Sequence, residues 1–191
     1  MYDYCDEFLK ALDFTETILS KKPTIYSQDG KILTEYVMKN LLSAIKNEFG
    51  LIDSNELLGN CFAVNYTFFD IIKKCLGCEI YYTIGWIQYD DKQVFYTQES
   101  ELKRYAELGL AGLSSLKLNL HAWLTLPTME IIDTTFQTTL GKILNKPEMI
   151  GGIITGNPTE LSNRKLQYHP QIIGAEYLRK VGVLMNINIL N

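Results

Sequence analysis

The sequence lacks the long apolar run that a membrane-spanning helix requires. No stretch of about 18 apolar residues is free of charged side chains, and that length is set by the thickness of the bilayer core. The first ten residues carry Asp3, Asp6 and Glu7, where a secretory signal needs positive charge ahead of an apolar stretch. The sequence therefore predicts a cytoplasmic protein with no membrane partner, and delivery into another cell stays open.

An excess of basic residues is also missing. Lysine and arginine number 18 against 22 aspartates and glutamates, which gives a formal net charge of −4. Binding to nucleic acid depends largely on basic groups that neutralise phosphates. We therefore expect no nucleic-acid partner.

Cysteine and histidine are scarce, at four and two residues. A reducing cytosol would keep so few cysteines as thiols. Cys75-Leu76-Gly77-Cys78 has the spacing of a zinc half-site or of a redox motif, but no second pair of Cys or His follows it. We expect no metal and no cofactor, and we interpret Gly77 as the residue that ends a helix.

The remaining composition is that of an ordinary globular protein, with 47% apolar and 21% charged residues. Helix-like spacing of apolar residues comes first, and segments rich in branched and aromatic residues follow. This order predicts one α+β domain over residues 1–191, with N-terminal helices packed on an antiparallel sheet. The predicted helices are Tyr4–Leu19, 32–45, Phe62–Lys74, Glu99–Leu110 and Gln171–Val181, and the predicted strands are 80–87, 94–96, Lys117–Leu126 and Met129–Thr134.

Cys61 is predicted to lie where the third helix begins. The N-terminus of a helix stabilises a thiolate through its partial positive charge and its unpaired N–H groups. The preceding Gly59-Asn60 allows a sharp turn, after which the Cys61 N–H could donate to an oxyanion. The alternative is a buried apolar cysteine in a core helix, since cysteine is often buried.

Residues 121–135 are typical of a tight hairpin that turns at Pro127. In that register, residues whose numbers are equally far from Pro127 lie opposite each other, so His121 would face Asp133. Their Cβ atoms would be about 4.5–5.5 Å apart. A carboxylate at that separation can orient an imidazole toward a thiol.

Each of these two residues has a structural alternative. A histidine in a strand is often a satisfied structural residue, and an aspartate after a strand is often a turn former or helix cap. The joint pattern of a cysteine at a helix start with a facing histidine and aspartate favours catalysis. We therefore predict Cys61, His121 and Asp133 as catalytic residues.

Three short blocks resemble the signature motifs of transglutaminase-like cysteine enzymes. They are Gly59-Asn60-Cys61, His121-Ala122-Trp123 and Ile132-Asp133-Thr134-Thr135. The resemblance implies a papain-like/transglutaminase-like core with the cysteine as nucleophile, the histidine as base and acid, and the aspartate as orienter. Two positions depart from the family pattern, which often has Trp where this chain has Phe62 and Asp-Pro-Thr where it has residues 133–135.

More distant relatives give two further expectations. Arylamine acetyltransferases carry Arg-Gly-Gly ahead of the cysteine, where this chain has Leu57-Leu58-Gly59, so acetyl transfer from coenzyme A is disfavoured. Papain-like enzymes place an oxyanion-stabilising Gln six residues before the cysteine, and Asn55 has that spacing here. Asn55 is either an oxyanion helper or part of a loop.

The second histidine, His169, precedes a proline, which favours an extended or turn conformation. His169 is interpreted as a structural residue or as one on the substrate side.

The predicted function is cysteine-dependent acyl transfer through a thioester on Cys61. Amide hydrolysis, peptidase, deamidase and transglutaminase activity all use this intermediate, and the sequence does not decide between them. A protein or peptide is the expected substrate. The alternative is a non-catalytic domain that keeps the fold and binds a protein or peptide. Nothing in the sequence indicates an oligomeric state.

Overall fold

The structure, a computed structural model, describes residues 2–49, 57, 59–112 and 118–184. Asn55, the predicted oxyanion helper, lies outside these residues. In the described part of the chain no helix is long and apolar enough to cross a membrane. In chain order the elements are α1 (Tyr4–Leu19), α2 (Glu35–Phe49), α3 (Cys61–Leu76), β1 (Tyr81–Tyr89), β2 (Lys92–Val94), α4 (Glu99–Leu108), β3 (His121–Thr125), β4 (Ile131–Asp133), α5 (Phe136–Ile143), β5 (Ile154–Gly156), α6 (Pro158–Asn163), β6 (Leu166–Ile173) and α7 (Glu176–Val181), with 3-10 turns at Gly109–Gly112 and Pro147–Met149.

The chain forms two compact units, each built from separate segments. The first unit contains residues from 1–24, 83–121 and 165–191, and the second contains residues from 25–82 and 122–164. Within each unit the strands pair antiparallel: β1 with β2 and β6 in the first, and β4 with β3 and β5 in the second. The predicted α+β class is confirmed.

In the first unit, α1 packs against β6. The helix begins after Asp3, whose Oδ1 accepts hydrogen bonds from the backbone N–H groups of Cys5 and Asp6. An N-cap of this kind satisfies donors that a helix start leaves unpaired. The Thr15 hydroxyl extends the contact by accepting the N–H of Ile173 at 2.9 Å. The predicted bounds of this helix are confirmed.

In the second unit, the buried carboxylate of Glu130 lies in the turn of the β3–β4 hairpin and accepts several hydrogen bonds. It accepts the N–H groups of Ile32 at 2.7 Å and Leu33 at 3.1 Å, and the Thr128 hydroxyl at 2.6 Å. A buried carboxylate is tolerated only when several donors satisfy it, as here. These bonds hold the segment ahead of α2 against the hairpin turn.

The predicted register of this hairpin is wrong. Leu124 pairs with Ile132 and Thr125 with Ile131, so the loop is centred on Thr128 instead of Pro127. Met129 lies in this loop in a left-handed conformation with φ of 62°, and the loop is two residues longer than the predicted turn. Continuing this register from Ile132 brings Asp133 opposite Trp123, so Asp133 does not lie directly across from His121.

Two further predictions differ from the structure. Residues from Gln171 to Ile173 belong to strand β6, and only Glu176–Val181 form the helix predicted over 171–181. Burial alternates along β6, which is the period of a strand. The proline at 170 is tolerated because, among the described strands, β6 pairs only with β1. Helix α5 matches no predicted element.

Candidate functional site

Helix α3 begins at Cys61, as the sequence predicts. Gly59 has a φ of 70°, which reverses the chain just before the helix. Asn60 is the N-cap residue, but its side chain makes no capping hydrogen bond. The helix ends at Gly77 in the left-handed conformation, which confirms that part of the prediction. Cys61 is half-buried at the start of this helix.

The buried face of α3 contains Asn65, Phe68 and Ile72. Their spacing of three and four residues defines one stripe of the helix, and Cys61 lies one turn before Asn65 on that stripe. Tyr66, the next residue along the chain, is 40% exposed and lies off this stripe. A polar residue, Asn65, thus occupies a buried position of the helix.

The side-chain amide of Asn65 is completely buried and joins three segments of the second unit. Its Nδ2 donates to the carbonyl oxygens of Cys61 and Ala122, each at 2.9 Å. Its Oδ1 accepts the hydroxyl of Thr134 at 3.0 Å. A buried amide satisfied on both ends fixes the positions of its partners far more strictly than apolar packing does.

These three partners each belong to or follow a predicted catalytic residue. Asn65 binds Cys61 itself, the residue after His121 and the residue after Asp133. The first turn of α3, the backbone of β3 and the end of β4 are thereby held together by one side chain. Sequence reasoning missed Asn65, and the signal for it was an asparagine on a helix face four residues after the candidate nucleophile.

Tyr82 also contacts the first turn of α3. Its hydroxyl donates to the carbonyl oxygen of Phe62 at 2.8 Å, and its ring meets that of Tyr66 edge-on at 6.3 Å. Burial raises the pKa of Tyr82 well above its usual value, and the nearby Cys61 thiol raises it further. The Tyr82 hydroxyl therefore keeps its proton and remains a hydrogen-bond donor beside Cys61.

Asp133 is fully buried at the end of β4. Its Oδ1 accepts the N–H groups of Thr135 at 2.9 Å and Phe136 at 3.0 Å, and the Thr135 hydroxyl at 3.3 Å. One carboxylate oxygen thus caps the start of helix α5, as the structural alternative for this residue predicted. These bonds also fix the orientation of the whole carboxylate.

His121 is the first residue of β3 and is 1% exposed. In the first unit, the Phe95 ring stacks on its imidazole, with centroids 5.2 Å apart and planes 16° from parallel. Phe95 adopts a φ of 65°, a conformation that costs free energy for a bulky aromatic residue. Such strain is often found at functional sites, and sequence reasoning missed Phe95 because it reads as a strand residue.

The other three cysteines lie in different surroundings. Cys5 and Cys75 are exposed and Cys78 is partly buried, and none of the four cysteines, all of them described, forms a disulfide. Burial, together with Asp3 and Asp6, raises the pKa of Cys5, and burial with Glu79 raises that of Cys78. Both thiols are thus held in their protonated, less nucleophilic form near neutral pH.

Comparisons with known proteins add no assignment: no family model, curated protein or solved structure matches the chain. Among the described residues, no group of three or more His, Cys, Asp or Glu side chains is arranged to hold a metal ion.

Proposed function

We propose that this protein is a cysteine-dependent acyl-transfer enzyme of the transglutaminase-like, papain-like kind. Cys61 is the nucleophile, His121 its base and acid, and Asp133 the residue that orients the histidine. The observation that carries the proposal is the pair of bonds from Asn65 to Cys61 and Ala122. The buried Asn65 amide links the start of α3, which carries Cys61, to the start of β3, which carries His121. A catalytic pair needs its two segments held in fixed positions in this way.

The position of Cys61 supports its role as nucleophile. It is the first residue of a 16-residue helix, and the first-turn N–H groups of a helix have no partner within the helix itself. Such groups stabilise both a thiolate and the oxyanion of a tetrahedral intermediate. We therefore assign the stabilisation of the oxyanion to backbone N–H groups at this helix start, a role that the sequence analysis offered to Asn55.

The proposed reaction has two halves. The Cys61 thiolate adds to an amide carbonyl carbon, and the carbonyl electrons move to oxygen. Collapse of this intermediate breaks the C–N bond, and His121 gives its proton to the leaving amine. Water then attacks the thioester carbon and gives a proton to His121. Collapse of this second intermediate breaks the C–S bond, which releases the acid and regenerates the Cys61 thiolate beside protonated His121. An amine in place of water would give a cross-linked product.

The alternative is a non-catalytic domain that binds a protein or peptide. One observation favours it: Asp133 Oδ1 accepts two N–H groups at the start of helix α5. This structural role is sufficient to explain a buried aspartate at this position. Catalysis and capping are compatible, because a carboxylate has two oxygens.

We further propose that the protein works on a protein or peptide substrate in the cytosol. Cys61 and the three other described cysteines form no disulfide, as a reducing compartment requires. The aromatic content of 12% suits a peptide groove.

Incubation of the full chain with a library of glutamine- and amide-containing peptides tests this proposal, with released amine or ammonia as the readout. Turnover should disappear in Cys61→Ala and persist in Cys75→Ala, a matched control at an exposed cysteine on the same helix. If turnover persists in Cys61→Ala, another group must carry the activity, and the proposal is wrong.

A further inference from the structure

A cleft of about 580 Å³ lies in the first unit, between α1, β1, β6 and the start of α4. This volume is within the range of small-ligand sites, about 300–1,000 Å³. Its lining includes the aromatic side chains of Phe14, Trp86 and Tyr96. Tyr96 is 41% exposed, and its ring meets Trp86 edge-on at 5.4 Å. The cleft is therefore accessible to flat ligands.

His169, which the acyl-transfer proposal does not use, lies in this lining. Its imidazole stacks on Trp86 with centroids 3.8 Å apart and planes 6° from parallel. Its Nδ1 lies 2.8 Å from Glu7 Oε2, so the carboxylate holds a proton on Nδ1. In the neutral ring Nε2 is then a hydrogen-bond acceptor, and it is buried without a hydrogen-bond partner among the described residues.

Gln171 presents a second buried acceptor in the same lining. Its Nε2 donates to the Thr97 carbonyl at 2.8 Å, which fixes the amide orientation and leaves Oε1 without a hydrogen-bond partner among the described residues. Gln171 is also the extra residue of a β-bulge, since Ile84 pairs with Ile172 and Gly85 with Pro170. Bulges commonly redirect side chains next to binding sites.

The charged side chains that line the cleft indicate which kind of ligand it favours. Two carboxylates, Glu7 and Glu99, line the cleft against one ammonium group, Lys10. Two unpartnered acceptors and a negative balance call for a ligand that is positively charged and rich in N–H donors. The aromatic lining favours a flat cation that can stack on the rings. A guanidinium group has all three properties, because it is positively charged, carries five N–H donors and is planar.

We propose that this cleft is a binding site for a guanidinium group, from an arginine side chain of a peptide or from a small guanidine. The cation stacks against the aromatic lining, is neutralised by Glu7 and Glu99, and donates to the acceptors on His169 and Gln171. The site lies wholly within the first unit and does not depend on the chemistry proposed for Cys61.

Isothermal titration calorimetry with the full chain tests the site. The probes are agmatine and an arginine residue blocked at both ends, and their control is blocked citrulline, which has the same shape without the charge. Both guanidinium probes should bind at least about tenfold more tightly than citrulline. Tighter binding of blocked arginine than of agmatine would identify a peptide as the source, and the reverse a small guanidine.

Variants at exposed positions of the cleft keep the test independent of folding. Glu99→Gln and Tyr96→Ala should each weaken agmatine binding by about three- to tenfold. Glu16→Gln is the matched control, because Glu16 is also a carboxylate of the first unit but lies outside the cleft. Equal affinity for citrulline and arginine, no measurable heat at millimolar agmatine, or unchanged affinity in both variants would overturn the proposal.

Discussion

The side-chain amide of Asn65 donates a 2.9 Å hydrogen bond to the main-chain carbonyl of Ala122, 57 residues further along the chain. Both groups are completely buried. Because Ala122 directly follows His121, this bond relates the position of β3 to the helix that begins with Cys61. The first prediction concerns this bond.

Replacing Asn65 with Ala should lower the free energy of unfolding by about 2–4 kcal/mol, because it leaves the Ala122 carbonyl and the Thr134 hydroxyl buried without a partner. Urea denaturation of parent and variant measures the difference. The same variant should slow the alkylation of Cys61, since the helix start is no longer held against β3.

Asn119→Ala is the matched control for Asn65. Asn119 also donates its amide to a main-chain carbonyl, that of Tyr96 at 2.7 Å, but at an exposed site. Its replacement should cost less than about 1 kcal/mol. Similar losses in the two variants would show that Asn65 is an ordinary polar contact and not a special link.

The second prediction separates the two roles of Asp133. Asp133→Asn keeps an Oδ1 that can cap helix α5, so its stability should stay within about 1 kcal/mol of the parent. Asp133→Ala removes the cap and should lose about 2 kcal/mol or more, because the helix N–H groups are buried there. Thermal and urea denaturation report the stabilities.

Both Asp133 variants should slow the reaction of Cys61 with a thiol probe if the carboxylate also orients His121. The informative variant is Asp133→Asn, in which the fold is preserved. A parent-like labelling rate in that variant would reduce Asp133 to a helix cap and favour the binding-domain alternative.

The third prediction follows from the raised pKa of Tyr82. In the unfolded chain this phenol ionises near pH 10, whereas in the folded chain it keeps its proton to higher pH. Its contribution to stability is thus fully present below about pH 10 and is lost as the pH rises further. Tyr82→Phe should make the decline above pH 10 shallower by up to about 1.4 kcal/mol per pH unit.

Urea denaturation between pH 7 and pH 11 measures this slope. Tyr82→Phe should also cost about 1 kcal/mol at pH 7, where the bond to the Phe62 carbonyl is lost. Tyr36→Phe is the control, because Tyr36 is 75% exposed. The assignment fails if the alkaline slope of Tyr82→Phe matches that of the parent and of the control.

How far the sequence predicts this structure depends on the range of the interactions concerned. Helix α1 was predicted with its observed bounds, since Asp3 caps it and its apolar residues repeat locally. The start of α3 at Cys61 was predicted from the helical spacing of the apolar residues that follow it, without a cap from the Asn60 side chain. Helix α5 was missed because its start depends on Asp133, which folds back to cap it, and its threonine-rich sequence has no strong helical period.

Two features of the candidate site could not be predicted from local sequence patterns. The hairpin was recognised, but its register was not, because no pattern indicates that Met129 adopts a left-handed conformation. The link through Asn65 joins residues 57 and 69 positions apart and cannot be read from local periodicity. Such long-range hydrogen bonds are fixed by the packed structure and not by nearby residues.

Cys61 is proposed to be an activated nucleophile that depends on His121. Exposure alone predicts the opposite order of reactivity, because Cys5 and Cys75 are exposed and Cys61 is half-buried. The direct measurement is the rate of iodoacetamide labelling of each cysteine between pH 6 and pH 8, by peptide mass mapping, in the parent and in His121→Gln.

In the parent, Cys61 should be labelled ahead of Cys5, Cys75 and Cys78 at pH 6–7. In His121→Gln, its rate should fall by about tenfold or more while the rates of Cys5 and Cys75 stay unchanged, because the imidazole is proposed to take the proton of the Cys61 thiol and of no other cysteine. Labelling of Cys5 or Cys75 first, or a Cys61 rate that is equal in the parent and in a folded His121→Gln, would contradict the account.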